Sequence, residues 1–299
     1  MSGLIGGLAG RALAQKHRVR ALNRRAVPGY ETVQADITDF DAIRPAFEGV
    51  HTVVHLSALL IQAQDRDLLK VNIEGTYNVF EAARQAGVKR VVFASSGAVM
   101  AGYMKEEPFR SLLQWTHPDI PKVAQRLQAA RQSPLLPGKG SALASPSVPS
   151  PSTGEGEGER LDTSRPWRLI SHLDPVRPSV FYGFTKAAGE SMGRFFHEAH
   201  GMSVICIRFG AVFQDDRPKS PSNAAVYMSH GDATQVVVKS VEAPESVGYE
   251  VFYALSDNTA RFRDIEHARN VRLCAAGRDY RVAARRGPRI DRTKVREAP

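Results

Sequence analysis

The stretch Lys89-Arg90-Val91-Val92-Phe93-Ala94-Ser95-Ser96-Gly97-Ala98-Val99 decides the fold. Four apolar residues follow one another at Val91, Val92, Phe93 and Ala94 without alternation, the pattern of a strand covered on both faces in a parallel sheet. The run ends in two serines and a glycine, at the carboxyl edge where open α/β sheets bind ligands. Upstream, Val19-Arg20-Ala21-Leu22, Thr32-Val33-Gln34-Ala35 and Thr52-Val53-Val54-His55-Leu56 read as three further strands. Helical patterns separate them at about 4–17, 39–47 and 67–86, the last closed by Gly87. Downstream, a helix over 182–200 ends at Gly201. A strand over 203–208, a helix over 232–241 with Asp232 as N-cap, and a strand over 249–255 follow. This alternation predicts an α/β fold, a doubly wound parallel sheet with helices on both faces.

Composition sets the outer bounds. The chain has 299 residues, 42% of them apolar and 24% charged, as expected of a globular protein with a large core. No run of 18 apolar residues exists, so no membrane-spanning helix is expected. The formal charge of +9 is uneven: residues 261–299 carry 11 Arg and 1 Lys against 5 acids, whereas 1–260 are nearly neutral. That basic end reads as a solvated, irregular tail, and its stretch from Arg285 to Arg296 lacks the interleaved aromatics of a nucleic-acid surface. Cys206 and Cys274 make neither a disulfide framework nor a metal motif, and no cleavable leader is evident, so a reducing cytoplasmic setting is expected. His197 and His200 lack the spacing of a zinc helix, and no metal is expected.

Four divisions follow: 1–103, a dinucleotide-binding part; 104–170, an insertion; 171–260, the rest of that domain; and 261–299, the basic tail. The insertion holds nine of the 18 prolines, and Ser145 to Arg160 is a low-complexity stretch with no face to bury. A helical turn is expected over 122–131.

Several features bear on chemistry. Gly3-Leu4-Ile5-Gly6 opens a helix whose amino end would supply amides and a positive dipole to a pyrophosphate. Four glycines in ten residues also suit a plain flexible start. Some 20 residues on, Asn23-Arg24-Arg25 ends a strand where a dinucleotide site needs a group for the adenosine ribose. Two guanidiniums and no carboxylate lean towards a 2′-phosphate and NADP; solvated arginines at a strand end are the other reading. Tyr182 and Lys186 lie four apart on a helix, so both reach one site, where a lysine cation would lower the tyrosine pKa for acid/base work.

Together these stretches resemble the extended short-chain dehydrogenase/reductases, the NAD-dependent epimerase/dehydratase group. The matching segments, in order, are GLIG (3–6), Asp36-Ile37, HLSA (55–58), VNIEGT (71–76), KRVVFASSGAV (89–99), DPVRPSVFYGFTKAAGE (174–190) and VICIRFGAV (204–212). The resemblance implies a Rossmann-like fold, an NAD(P) cofactor and a sugar or nucleotide-sugar substrate. Its chemistry is hydride transfer serving oxidation, epimerisation or dehydration. It implies that Gly3 and Gly6 face the pyrophosphate, that Asn23 and Arg24 meet the ribose, and that Asp36 and Ile37 hold the adenine. Leu56, Ser57 and Ala58 would line the cofactor floor, Asn72 would support the site, and Phe209, Gly210 and Ala211 would approach the nicotinamide. Ser96 would polarise the substrate, Tyr182 would be the acid/base, and Lys186 would bond the nicotinamide ribose. It also implies a homodimer through the helices over 68–86 and 182–200.

The sequence departs from this family in three ways. The family's first strand, ending in Thr-Gly, has no counterpart, so the sheet is expected to lack its central strand. Ser96 and Tyr182 lie 86 residues apart, so the excess must loop out. The basic end does not match the family's small substrate-side part, and a shifted reading frame would account for it. Two expectations therefore stand. One is an enzyme, with a start further upstream or with impaired function. The other is a non-catalytic NAD(P)-binding module.

Overall fold

The computed structural model describes residues 2–106, 109–110, 169–258, 261–271 and 273. The readings made for 111–168, including the low-complexity stretch and the turn at 122–131, lie outside the described residues, as does most of the basic tail.

Helix α1 (Leu4–Leu13) comes first, followed by β1 (Arg20–Asn23) and β2 (Glu31–Gln34). Asp39 caps the short α2 (Phe40–Ile43) by accepting from the Ala42 N–H. A 3-10 turn (Arg44–Phe47) leads to β3 (Thr52–His55). Next comes α3 (Asp65–Leu68), joined by a π-helical segment (Leu69–Glu74) to α4 (Gly75–Gln85). β4 (Arg90–Ser96) runs into a 3-10 stretch (Gly97–Lys105). The second half holds α5 (Phe181–His200), β5 (Ser203–Phe209), α6 (Pro221–Val226), α7 (His230–Val241), β6 (Tyr249–Ala254) and α8 (Glu266–Asn270).

All the strand pairs are parallel, in two sheets: β1–β2, and β3–β4–β5–β6. Apolar side chains on one face pack under α1 and α7, with Ala9, Leu13, Val236 and Val237 against Val92, Ile205 and Ile207. On the other face, Ile43, Phe47, Val79, Phe80 and Phe196 pack against Val91, Phe93 and Val204. This is the doubly wound, Rossmann-like sheet expected, and its interruption lies between β1 and β3. Gly87 and Gly201 terminate their helices at positive φ, +71° and +68°. Among the described residues no helix is long and apolar enough to cross a membrane.

Three local readings are corrected. The cap of α7 is Ser229, whose Oγ accepts from the Asp232 N–H; Asp232 sits within the first turn and accepts instead from Ser256 Oγ. The helix read over 67–86 is continuous in sequence but passes through a π turn centred on Asn72, because the Asn72 side chain is drawn out to bond elsewhere. Finally, residues 261–271 are not a solvated tail. Phe262 and Ile265 enter a third apolar cluster with Val99, Met100 and Tyr253, and Ile170 bridges to Arg263 in parallel. Arg263 is buried over Gly97, donating from its NH2 to the Gly97 carbonyl at 3.1 Å.

Helix α5 lies unusually close to the sheet. A Cβ on Gly189 would strike the Phe93 ring, one on Gly193 would press on Val204, and one on Gly183 would strike the Ala98 carbonyl. Gly189→Ala is therefore expected to destabilise the fold by about 1–3 kcal/mol through overpacking, read by denaturant unfolding; exposed Gly3→Ala, whose Cβ meets nothing, serves as the control.

Candidate active site

The carboxyl ends of β1, β3, β4 and β5 open into one cleft of about 1180 Å³. Gly3 and Gly6 at the amino end of α1 line it, with Asn23 and Arg24 after β1 and Asp36 and Ile37 after β2. Leu56, Ser57 and Ala58 follow β3 along its floor; Ser96, Tyr182, Lys186, Phe209 and Gly210 close the far end. Residues dispersed over 208 positions of sequence thus share one wall. Of the expected site residues Ala211 is not part of the lining, and neither is Asn72. Asn72 is buried behind it, accepting from the Leu59 N–H at 2.8 Å and donating to the Leu59 carbonyl at 3.0 Å and to Thr185 Oγ1 at 3.2 Å. The π turn exposes its amide to three partners and joins the floor loop to α5.

Helix α5 places the reacting groups. Tyr182 stands in its first turn, and Ser96 lines the same end of the cleft. The Ser96 hydroxyl accepts from the Ala98 N–H at 3.1 Å, capping the 3-10 stretch. Lys186, one turn on, is buried. Its Nζ donates to the Ala94 carbonyl at 2.8 Å, 5.8 Å from the Tyr182 ring centroid. Burial holds the Lys186 pKa down to about 8, opposed by the Glu190 charge. Burial also pushes the Tyr182 phenol up from its ordinary value, with the nearby Ser96 hydroxyl pulling the other way. The expected lowering of the tyrosine by lysine is thus not met here: desolvation of the ring outweighs it, and the ammonium is turned to a backbone carbonyl.

Sequence reading missed the anchor beneath these groups. Glu190, a further turn along α5, accepts from Arg208 Nε and NH2, both at 2.8 Å, and from Ser95 Oγ at 2.5 Å. All three are buried, and they tie α5 to β4 and β5. The spacing Tyr182, Lys186, Glu190 on one helical face was the available signal.

At the adenosine end, Asp36 accepts from the Thr38 N–H at 3.0 Å and from Thr38 Oγ1 at 2.9 Å, which holds its carboxyl below the usual range. Asn23 is occupied locally, donating to the Arg25 carbonyl at 2.7 Å and accepting from Ser2 Oγ at 3.1 Å. Arg24 lines the cleft as an exposed cation; Arg25 is not part of the lining. Gly3 has open space where a Cβ would stand, so the chain's own packing does not require glycine there. An open helix amino end, a polar group after β2 and an apolar floor suit a dinucleotide. Among the described residues no group of three or more His, Cys, Asp or Glu side chains could hold a metal.

Residues 1–119 match the model of the NAD dependent epimerase/dehydratase family. Over 248 residues the chain is 30% identical to the NAD-dependent glucose-6-phosphate dehydrogenase of Haloferax volcanii, covering 82% of this chain and 75% of that one. It is 26% identical over 234 residues to a uronate dehydrogenase of Pseudomonas syringae pv. tomato, covering 78% of this chain but only 62% of the relative. A mutant uronate dehydrogenase from Agrobacterium tumefaciens, solved with NAD, shares the fold with a TM-score of 0.65 at 22% identity, over 92% of this chain and 82% of that one. The chain belongs to the NAD-dependent epimerase/dehydratase family.

Two outcomes follow from the buried charges. Arg208→Met should cost about 3–5 kcal/mol of stability by leaving Glu190 without its cation, and adding Glu190→Gln should recover part of the loss; chemical denaturation reads both. Lys186 has a depressed pKa in the fold, so between about 8 and its ordinary 10.5 the unfolded chain binds the extra proton. Stability should rise with pH across that window, and the rise should vanish in Lys186→Met.

Proposed function

We propose that this chain is an NAD-dependent oxidoreductase acting on a sugar, with Tyr182 as acid/base. The observation that supports the reading is the convergence of Ser96, Tyr182 and Lys186 at the end of a cleft whose opposite end is lined by Gly3, Gly6, Asp36 and Ile37. NAD, when bound, supplies the acceptor for a hydride from a carbinol carbon. The chain's own residues do the rest. The amino end of α1, with open space at Gly3, receives the pyrophosphate, and Asp36 and Ile37 border the adenine. Leu56, Ser57 and Ala58 form the floor, and Phe209 and Gly210 exclude water from the nicotinamide end. Ser96 Oγ orients the substrate hydroxyl, and Tyr182 Oη takes its proton. Lys186 holds the ribose, and Asn72 keeps the floor loop registered against α5.

The relatives named above are dehydrogenases of glucose 6-phosphate and uronate, which favours simple oxidation over epimerisation or dehydration. Arg24 is the source of any affinity for a 2′-phosphate, so NADP should bind as well as NAD. Leu69 and Tyr77 on one side, and Phe184 and Phe195 on α5, leave large apolar groups exposed on the two long helical segments. These surfaces favour a homodimer, and sedimentation at micromolar concentration should find one.

The test is NAD reduction with uronates, glucose 6-phosphate and L-arabinose. One of these should be oxidised, and Tyr182→Phe should lower kcat by on the order of 10²–10⁴ while leaving cofactor affinity nearly unchanged. If no sugar is oxidised and Tyr182→Phe changes nothing, the non-catalytic NAD(P)-binding module is the better reading. Arg24→Glu should weaken NADP about tenfold or more and spare NAD, as expected from one charge-assisted contact.

A further inference from the structure

Arg263 carries a charge that nothing around it balances. It is 7% exposed, and its guanidinium lies 5.4 Å from the Phe262 ring centroid and 5.7 Å from that of Tyr253. NH2 donates to the Gly97 carbonyl at 3.1 Å. Nε is sealed from solvent without an acceptor, and NH1 makes no hydrogen bond among the described residues. The groups that act on the guanidinium electrostatically are the Tyr253 phenol, which burial keeps protonated, and Arg208, which repels it. A guanidinium does not shed its proton in a protein, so the charge stays.

The charges nearby are committed elsewhere. Glu190 is bonded to Arg208 and Ser95. Arg261 has Asp257 and Glu266. Asp264 accepts from the Glu266 N–H at 2.8 Å and faces His172. Lys186 has the Ala94 carbonyl as its hydrogen-bond partner. Behind Ser96 and Tyr182, therefore, Lys186, Arg208 and Arg263 are all buried, and among the described carboxylates Glu190 alone bonds to any of them. A cation left in this state is costly unless an opposite charge comes to it.

Its position directs that need towards the cleft. Gly97 follows Ser96, which lines the substrate end. Arg263 stands behind the lining, and a Cβ on Gly97 would strike its NH1 and Cζ, so no side chain comes between the guanidinium and the turn. With NH2 on the Gly97 carbonyl, the charge lies within roughly 8 Å of Ser96. Buried groups fill that distance, so salt screens the field at the cleft only weakly.

We infer that Arg263 sets the charge of the substrate: the Ser96 end of the cleft selects a sugar bearing a carboxylate or phosphate over a neutral sugar of the same shape. The inference rests on the reading of the cleft as a sugar site, but not on oxidation taking place there.

The test pairs D-glucuronate, D-galacturonate and glucose 6-phosphate with neutral counterparts, the two uronamides and glucose. Calorimetry on the full chain, alone and with NADH, reads binding without turnover, so a failure of the redox reading leaves the result interpretable. The anionic member of at least one pair should bind about tenfold more tightly. The preference should survive about 0.5 M KCl, because the charge is buried. Arg263→Gln should erase the preference and leave the neutral sugar's affinity nearly unchanged, and Arg263→Lys should retain most of it. A residue that only held the Ser96 turn would weaken both members of a pair alike. The inference is overturned if the unmodified chain binds no anionic sugar more tightly than its neutral partner, or if Arg263→Gln costs both members equally.

Discussion

The carboxylate of Glu190 is the constraint on which the site depends. It sits in the interior on α5, and a lone charge there would be prohibitively desolvated. The bidentate Arg208 bond from β5 and the Ser95 hydroxyl from β4 make it tolerable. The partners are so directional that α5 has one depth and one rotation against the sheet. Gly183, Gly189 and Gly193 remove the side chains that would otherwise hold the helix off. With the helix so fixed, Tyr182 meets Ser96 and Lys186 meets the end of β4. A buried pair of this kind adds little net stability. What it supplies here is position.

Around that anchor the electrostatics are left unbalanced. Lys186 is buried with a carbonyl partner and has its pKa held down to about 8, and the Tyr182 phenol is raised by burial. Both shifts come from exclusion of water, so each responds to whatever polar groups enter the cleft. A ribose or a substrate hydroxyl placed between them would supply the hydrogen bonds that the protein alone withholds. The segment at 261–271 contributes by pressing Arg263 onto Gly97, which fixes the turn that carries Ser96.

Much of this was legible in the sequence because its signals are local. Unbroken apolar runs such as Val91–Ala94 mark buried parallel strands, and Gly87 and Gly201 mark helix ends by their left-handed backbone. The lining residues followed the order of family motifs, and all the expected residues except Asn72 and Ala211 meet at the cleft. What was not legible depends on partners distant in sequence. Nothing near Glu190 announces Arg208, and nothing near Gly97 announces Arg263, whose basic neighbours suggested solvent. Asn72 pulls a π turn into its helix because Leu59 and Thr185 wait for its amide, which no helical periodicity reveals. The Asp232 cap was misplaced by three residues because Ser229, just ahead, competes for the same role.

With its sheet open between β1 and β3, this chain should hold a dinucleotide in the cleft that ends at Tyr182 and Lys186. Calorimetric titration of the folded protein with NAD⁺ tests it directly. Saturable binding in the micromolar range, with one site per chain and weakened by Lys186→Met, is the predicted result. A folded protein that takes up no NAD⁺ at millimolar concentration would contradict the account.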